Sequence, residues 1–399
     1  MNFSLYIARR YLLSKSSNNA INIITLIATL GVIVSTIALF VVLSVFSGLK
    51  DFSLSFIRTS DPDLKITSAR GKSFLFNDSL ERALSVDEIS AFSKVIEERV
   101  FLSYSEKSHV ASIKGVDTNY LHVNRMDTAV YFGNWLNYEA KHTVVVGSAI
   151  SMALSIGTYD FLESLKIYVP KPGEGYITNP RTAFSQVNAQ TIGIYRLIDD
   201  IDKKYVFANL ELAQDLLNYE QGRISAIEIK LDEEAAAKEV QEHLREVLGP
   251  DYEIRTREQL NSVFYKMLNT ENLVSYLVFT LVLIIALFNV IGAIVMMIID
   301  KRDNLRTLFH LGSEISEIRR IFVFQGFLLT CFGLFTGLLV AIPMVILQKK
   351  FGFIMITQSL AYPVEFRLTN VLLVIATLLI LGYLASKIAS ARISKKLVE

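Results

Sequence analysis

Four apolar runs free of Asp, Glu, Lys and Arg constrain this chain before anything else does. Residues 20–47 stand near the N-terminus, while residues 272–299, 321–348 and 368–386 stand together at the other end. Each is long enough to cross a bilayer, because about 20 apolar residues in a helix span roughly 30 Å of hydrocarbon. A charge at the bilayer centre costs roughly 2.5 to 3.5 kcal/mol, which gives the repeated absence of charge a reason that a soluble core lacks. The chain is 52% hydrophobic yet 20% charged, so its charges are concentrated between the spans. The expected fold class is a membrane protein with four transmembrane α-helices, one plus three, and a large α+β domain inserted between helices 1 and 2.

Basic residues near the spans orient them, since short cytoplasmic segments carry an excess of Lys and Arg. Arg9, Arg10 and Lys15 precede the first run, and Lys387, Arg392, Lys395 and Lys396 follow the fourth. Lys301, Arg302, Arg306, Arg319 and Arg320 fill the connection between the second and third, with Lys349 and Lys350 the one contrary pair. Both termini are therefore expected in the cytoplasm. The boundaries read as a cytoplasmic amphipathic segment 1–19, spans 20–48, 272–299, 321–348 and 368–386, an outer domain 49–271, a cytoplasmic helix 300–320, a short outer loop 349–367 and a cytoplasmic tail 387–399. The first run is too long for a signal-peptide core and lacks a small-residue cleavage site, so it reads as an uncleaved span. A net charge of +1 argues against a nucleic-acid partner. Cys331 is the only cysteine and lies within the third run, which leaves no intramolecular disulfide.

Within the outer domain, strands are expected at 63–68, 110–116, 143–146, 165–169, 190–195 and 226–231, and amphipathic helices at 86–99, 210–219 and 233–248. Residues 227–231, the helix after them and 252–255 read as a β-α-β unit. The first strands are expected to pair with that late unit into a core, about 49–116 with 224–271, around an inserted subdomain of about 117–223. Apolar spacing continues past the first run at Leu49, Phe52, Leu54, Phe56 and Ile57, and precedes the second at Leu260, Val263, Phe264, Met267 and Leu268. Two readings stay open there: a helical stalk, or amphipathic helices lying on the membrane. The proline-rich segment 170–186, with Pro170, Pro172 and Pro180, reads as a stiff projecting loop or as an ordinary connection.

The connection between the second and third runs has helical spacing of Leu305, Leu308, Phe309 and Leu311, with Gly312 as terminator and Ser313 as cap of the next helix. It reads either as a helix that docks in a partner's groove or as one lying on the lipid. Gly326, Gly333 and Gly337 in the third run are spaced for close helix packing. Asn22 and Asn289 are expected to hydrogen-bond between helices. No catalytic constellation and no metal site is expected. Gly71, Lys72 and Ser73 resemble the end of a P-loop without its first glycine. The histidines at 109, 122, 142, 243 and 310 are scattered, and Asp199, Asp200 and Asp202 lack the regular ligand spacing of a Ca²⁺ loop.

Two stretches carry a family resemblance: the opening ARRYLLSKSSNNAINIITLIATLGVIVSTIALFVVLSVFSGL, and NVIGAIVMMIIDKRDNLRTLFHLGSEISEIRRIF around the cytoplasmic connection. Both look like the MacB-type ABC transporter permeases, most similar to the lipoprotein-releasing (Lol) system. The segment VVVGSAISMALSIGTYDFLESLKIYVP resembles the same family, departing from its Gly-Asp step at Gly157, Thr158, Tyr159 and Asp160; Phe309 also stands where relatives often have Arg. The resemblance implies a transmembrane subunit without a catalytic motif, in the bacterial inner membrane with a periplasmic outer domain. It implies a separate pair of ABC ATPase subunits holding ATP and Mg, a second permease copy, identical or sister, a lipoprotein substrate and a periplasmic lipoprotein carrier. By that resemblance Asp303, Leu305, Arg306, Leu308, Phe309 and Gly312 match the coupling helix. Pro170, Pro172, Pro180, Arg181 and Gln186 match the loop that grips the carrier. With a lipoprotein substrate implied, the apolar faces of the first two spans, including Val41, Val45, Phe279 and Val282, are expected to line the cavity that admits acyl chains. Two other functions remain open, an efflux permease and a non-transporting regulator of cell-wall hydrolases.

Overall fold

The computed structural model describes residues 3–13, 19–160, 163–171, 183–357 and 360–394. The chain divides into two compact units, one of Met1–Ser53 with Lys266–Glu399 and one of Leu54–Tyr265.

The first unit is helical. Its helices are α1 (Phe3–Leu13), α2 (Asn19–Ser60), α3 (Ser262–Asp300), α4 (Arg302–His310), α5 (Ile315–Phe351) and α6 (Leu368–Ser390), and α2, α3, α5 and α6 are long and apolar enough to cross a membrane. With 42 residues α2 is about 63 Å long at 1.5 Å per residue, and α3 with 39 about 58 Å, so both exceed a hydrocarbon layer of roughly 30 Å. Glycines set how closely these helices pack. A Cβ on Gly333 or Gly337 would overlap Val32 or Thr36 of α2, and one on Gly326 would meet Ile294 and Ser386. The spaced glycines of the third run therefore do what their spacing predicts. Asn289 does not, since it lies on the outward face of α3. Of the contrary pair Lys349 and Lys350, Lys349 is bound to Glu365 at 2.7 Å.

The second unit is built on a ten-stranded sheet. Its strands are β1 (Leu64–Ser68), β2 (Ile89–Tyr104), β3 (Lys107–Val116), β4 (Val130–Gly133), β5 (Thr143–Gly147), β6 (Leu165–Pro170), β7 (Phe184–Tyr195), β8 (Tyr205–Asn209), β9 (Ala226–Leu231) and β10 (Tyr252–Thr256). Their order is β10-β1-β9-β2-β3-β8-β5-β7-β4, and β6 bridges β2 and β7, so pairing closes on itself through β2, β3, β8, β5, β7 and β6. The early and late strands do come together, but β1 lies between β9 and β10, antiparallel to both, so the expected β-α-β unit has a strand threaded through it. Strands from 117–223 extend this same sheet. One face is covered by the helices Asp78–Leu84 and Ala237–Leu248, whose Leu80, Leu84, Val240 and Leu244 pack on Ile66, Ile227 and Ile254.

One expectation fails outright. Residues 86–99, read as an amphipathic helix, are a turn at 86–88 followed by strand β2, which begins at Ile89 and runs on to Tyr104. Apolar side chains at Ile89, Phe92, Val95, Ile96 and Val100 mimic a helical stripe because β2 is buried on both faces, with Val95 and Ile96 both fully enclosed. A strand covered on both sides loses the alternation that would announce it.

Gly48 of α2 sits under the chain after α5: a Cβ there would come within 2.5 Å of the Pro363 carbonyl oxygen and of Val364. That segment is held by the Glu365 amide, which donates to the Ser44 carbonyl at 3.0 Å. Gly48→Ala is expected to cost about 1–3 kcal/mol by overpacking. Gly292→Ala, which meets nothing within 4 Å, should cost nothing. Thermal unfolding of the detergent-solubilised chain compares the two, and equal transitions would remove the close approach.

Candidate functional site

Helix α4 starts one residue after α3 ends and stops in a Schellman motif: the Gly312 amide donates to Phe309 O at 3.0 Å and the Ser313 amide to Leu308 O at 3.1 Å, with Gly312 at φ +100°. The next helix is capped by Glu314, not Ser313: its side chain and that of Glu317 form a reciprocal capping box. An acid suits that position because the helix N-terminus carries partial positive charge. Of the coupling residues named above, Leu305 is fully buried and Leu308 and Phe309 pack against the same core, which also holds Ile318, Ile321 and Phe322 of α5. Asp303 is exposed and Arg306 half-buried, together with exposed Arg302, Thr307 and His310. Leu311, which helical spacing had grouped with these apolar residues, is set apart from them at 78% exposure. The surface that α4 offers a partner is therefore a polar rim ending in one leucine.

Val41, Val45 and Phe279 lie partly buried against the membrane-helix core, while Val282 points outward at 43% exposure. The proposed lining of an acyl-chain cavity is thus split between packed and free side chains.

In the second unit, β6 and β7 form the hairpin whose connection is the proline-rich segment. Pro170 pairs with Phe184 and Tyr168 with Gln186, and the Lys171 amide donates to Ala183 O at 2.9 Å. Gln186 is exposed and bonds Asn188. Pro172, Pro180 and Arg181 lie outside the described residues. The sheet adds what sequence spacing could not show. Val110, Phe101, Tyr168 and Gln186 stand side by side across β3, β2, β6 and β7, and Val110 and Phe101 are exposed, as is Phe184 beside them. An apolar row on an outward sheet face therefore begins at the base of that hairpin.

A second feature also escaped the sequence. Four neighbouring strands each place one charged side chain on the same sheet face: Lys65 from β1, Glu228 from β9, Glu97 from β2 and Lys114 from β3. Lys65 Nζ is 2.8 Å from Glu97 and 3.6 Å from Glu228, and Lys114 Nζ is 2.9 Å from Glu228. Asn124 donates to Glu228 at 2.6 Å and the Tyr205 hydroxyl to Glu97 at 2.7 Å. Lys114 also lies over the rings of Tyr120, Tyr205 and Phe207, against which Trp135 packs. Burial alone would raise the Glu97 carboxyl, but Lys65 and Lys114 hold it down to about 2. Burial likewise opposes charge on Lys114, and Glu228 with Glu97 keeps its ammonium above the ordinary range. The arrangement holds charge in place.

The tripeptide that resembled a P-loop lies in a turn with Gly71 at φ +96°, and Lys72 is paired with Glu98 at 2.8 Å. Asp202 is buried and accepts from the Leu197 amide and the Ser148 hydroxyl, both at 2.9 Å. Asp199 is bonded to Lys203.

Because the folded Glu97 pKa of about 2 lies below its ordinary 4.5, its stabilisation is complete above pH 4.5 and is lost as the pH falls toward 2. Glu97→Gln should flatten the pH dependence of unfolding across that window and cost on the order of 3 kcal/mol at neutral pH by removing the carboxylate closest to Lys65, which keeps only the 3.6 Å contact with Glu228. Trp135, the only tryptophan, reports the change by fluorescence. An unaltered acid transition in the variant would show that the carboxylate is not what holds these strands.

Comparison with known proteins gives two domain matches. Residues 25–247 match the MacB-like periplasmic core domain and residues 276–397 the FtsX-like permease C-terminal region. The chain is 23% identical to the lipoprotein-releasing system transmembrane protein LolE of Haemophilus influenzae and 20% identical to LolC of the same organism. Each alignment covers 99% of this chain and 98% of the relative. Among solved structures, the periplasmic region of MacB from Actinobacillus actinomycetemcomitans matches with a TM-score of 0.35 at 14% identity, over 51% of this chain and 92% of that one.

Proposed function

This chain belongs to the family built on a MacB-like periplasmic core domain, with an FtsX-like permease region after it, and from that premise we propose that this ABC transporter permease subunit extracts lipoproteins from the inner membrane. The observation that carries the reading is end-to-end likeness: two subunits of lipoprotein-releasing systems match over 98% of their own length, outer domain and connections included.

ATP and Mg would be held by a separate pair of ATPase subunits, which would dock on the rim of α4 formed by Arg302, Asp303, Arg306, Thr307, His310 and Leu311. With both termini in the cytoplasm that rim faces the ATPase. Closure of the ATPase pair would press on α4 and be relayed along α2 and α3 to the periplasmic domain. A second permease copy, identical or sister, would complete the cavity in which Val41, Val45, Phe279 and Val282 meet the acyl chains. The extracted lipoprotein would pass to a periplasmic carrier gripped by the loop of Pro170, Pro172, Pro180, Arg181 and Gln186. The row of Val110, Phe101 and Tyr168 supports this placement, because an exposed apolar stripe on a soluble domain marks an interaction surface.

Depletion of the protein in its native host tests the reading. Acylated outer-membrane lipoproteins are expected to accumulate in the inner membrane; normal sorting together with altered septation or toxin sensitivity would replace it with the regulator or the efflux permease. Phe101→Asp, on an exposed position, should leave the fold intact and weaken carrier binding at least about tenfold, the loss of one anchor residue. Unchanged affinity in a pull-down titration would confine the carrier to the loop or assign it to the sister subunit.

A further inference from the structure

Helix α1 sorts its side chains by face. Ser4 and Ala8 are buried, and Ile7 and Tyr11 pack against the membrane-helix core. The Ser4 hydroxyl donates to the Glu317 carbonyl in the first turn of α5 at 3.4 Å, and Tyr11 is hydrogen-bonded to Asn304 of α4, beside Lys301. The opposite face presents Leu5 and Tyr6, 43% and 51% exposed, together with exposed Arg9 and Arg10. The chain contains no Asp or Glu before Asp51, and among the described residues neither arginine has a carboxylate partner. Nearby acids are engaged: Glu317 accepts from the Glu314 amide, and Glu314 from the Ser316 hydroxyl.

An aliphatic residue, a tyrosine and two guanidinium groups on one exposed helix face, next to membrane-spanning helices, match the chemistry of a lipid interface, where apolar groups seat among acyl chains and cations meet headgroup phosphates. We propose that α1 is a binding element for anionic phospholipid, with Leu5 and Tyr6 in the acyl boundary and Arg9 and Arg10 on the headgroup phosphates, and that Tyr11 ties this lipid-held helix to α4. The proposal goes beyond the transport reading and rests on it only for the leaflet concerned. Lipid composition would then act on the same helix that receives the ATPase.

The test uses the full chain carrying Tyr6→Trp, reconstituted in phosphatidylcholine vesicles containing a small fraction of brominated phosphatidylglycerol or brominated phosphatidylcholine. Quenching is measured above that of the parent chain with Trp135 alone. Brominated phosphatidylglycerol should quench more strongly, with local enrichment of about fivefold for each arginine. Arg9→Gln with Arg10→Gln should abolish the preference, and Arg9→Lys with Arg10→Lys should retain it, which separates charge from misfolding. Equal quenching by the two lipids, or none above the parent chain because a protein covers the face, overturns the proposal. Neither ATPase, carrier nor lipoprotein enters the measurement, so its failure is distinct from failure of the transport reading.

Discussion

Four charges on four adjacent strands hold the outer domain in register. Lys65, Glu228, Glu97 and Lys114 meet only if β1, β9, β2 and β3 pair as they do. A slip of one residue would move a charge to the opposite, helix-covered face, where Ile66, Ile227, Ile96 and Ile113 now lie. Buried ion pairs add little net stability over apolar packing, yet an unpaired member costs several kcal/mol. The cluster therefore acts less as glue than as a penalty on every other pairing of segments that are far apart in sequence. Asn124 and Tyr205 add one donor each, to Glu228 and to Glu97, the other Glu228 oxygen meets Lys114 at 2.9 Å, and the Asn124 side-chain oxygen has no hydrogen bond among the described residues.

Much of this architecture is visible in the residues themselves. Charge-free runs locate the four long helices because the cost of charge in hydrocarbon leaves so clear a record, and β1, β3, β5, β6 and β9 follow from β-branched runs bounded by turns. Strand β2 was hidden by enclosure on both faces, and with it the organisation of the whole sheet. The ionic cluster was hidden by distance along the chain, although it left a trace. Lys65 in LKITS and Lys114 in SIKGV are each a lone charge within a short strand-like run, and Glu228 in AIEI stands between two isoleucines, placements that require a partner. The row at Val110, Phe101 and Tyr168 left none, since a single exposed apolar residue per strand is ordinary and only the registers align the three.

Helix α4 shows a different limit of sequence reading. Periodicity correctly finds a helix with an apolar stripe, but cannot tell whether that stripe faces a partner or the protein's own core. Here it faces the core: Leu305 is fully buried with Ile318, Ile321 and Phe322. Leu311 breaks from the stripe because the Schellman turn at Gly312 redirects the chain at that point.

Burial of that stripe changes what a force on α4 can do. A helix docked only by an exposed face could swing on its connections and dissipate a push. Helix α4 has Lys301 alone between it and α3, and a fixed turn followed by the Glu314 capping box between it and α5. Its leucine side is embedded among the side chains of the helix that follows, and close-packed interiors shift as bodies and do not deform continuously. On the proposed transport reading, a displacement of α4 would displace the flanking ends of α3 and α5 with it. Glycine contacts would then carry that movement onward, since Gly333 and Gly337 leave α5 no slack against Val32 and Thr36 of α2. Small residues at those crossings do more than bring helices together; they remove the free space in which a displacement of one could be lost before it reached the next.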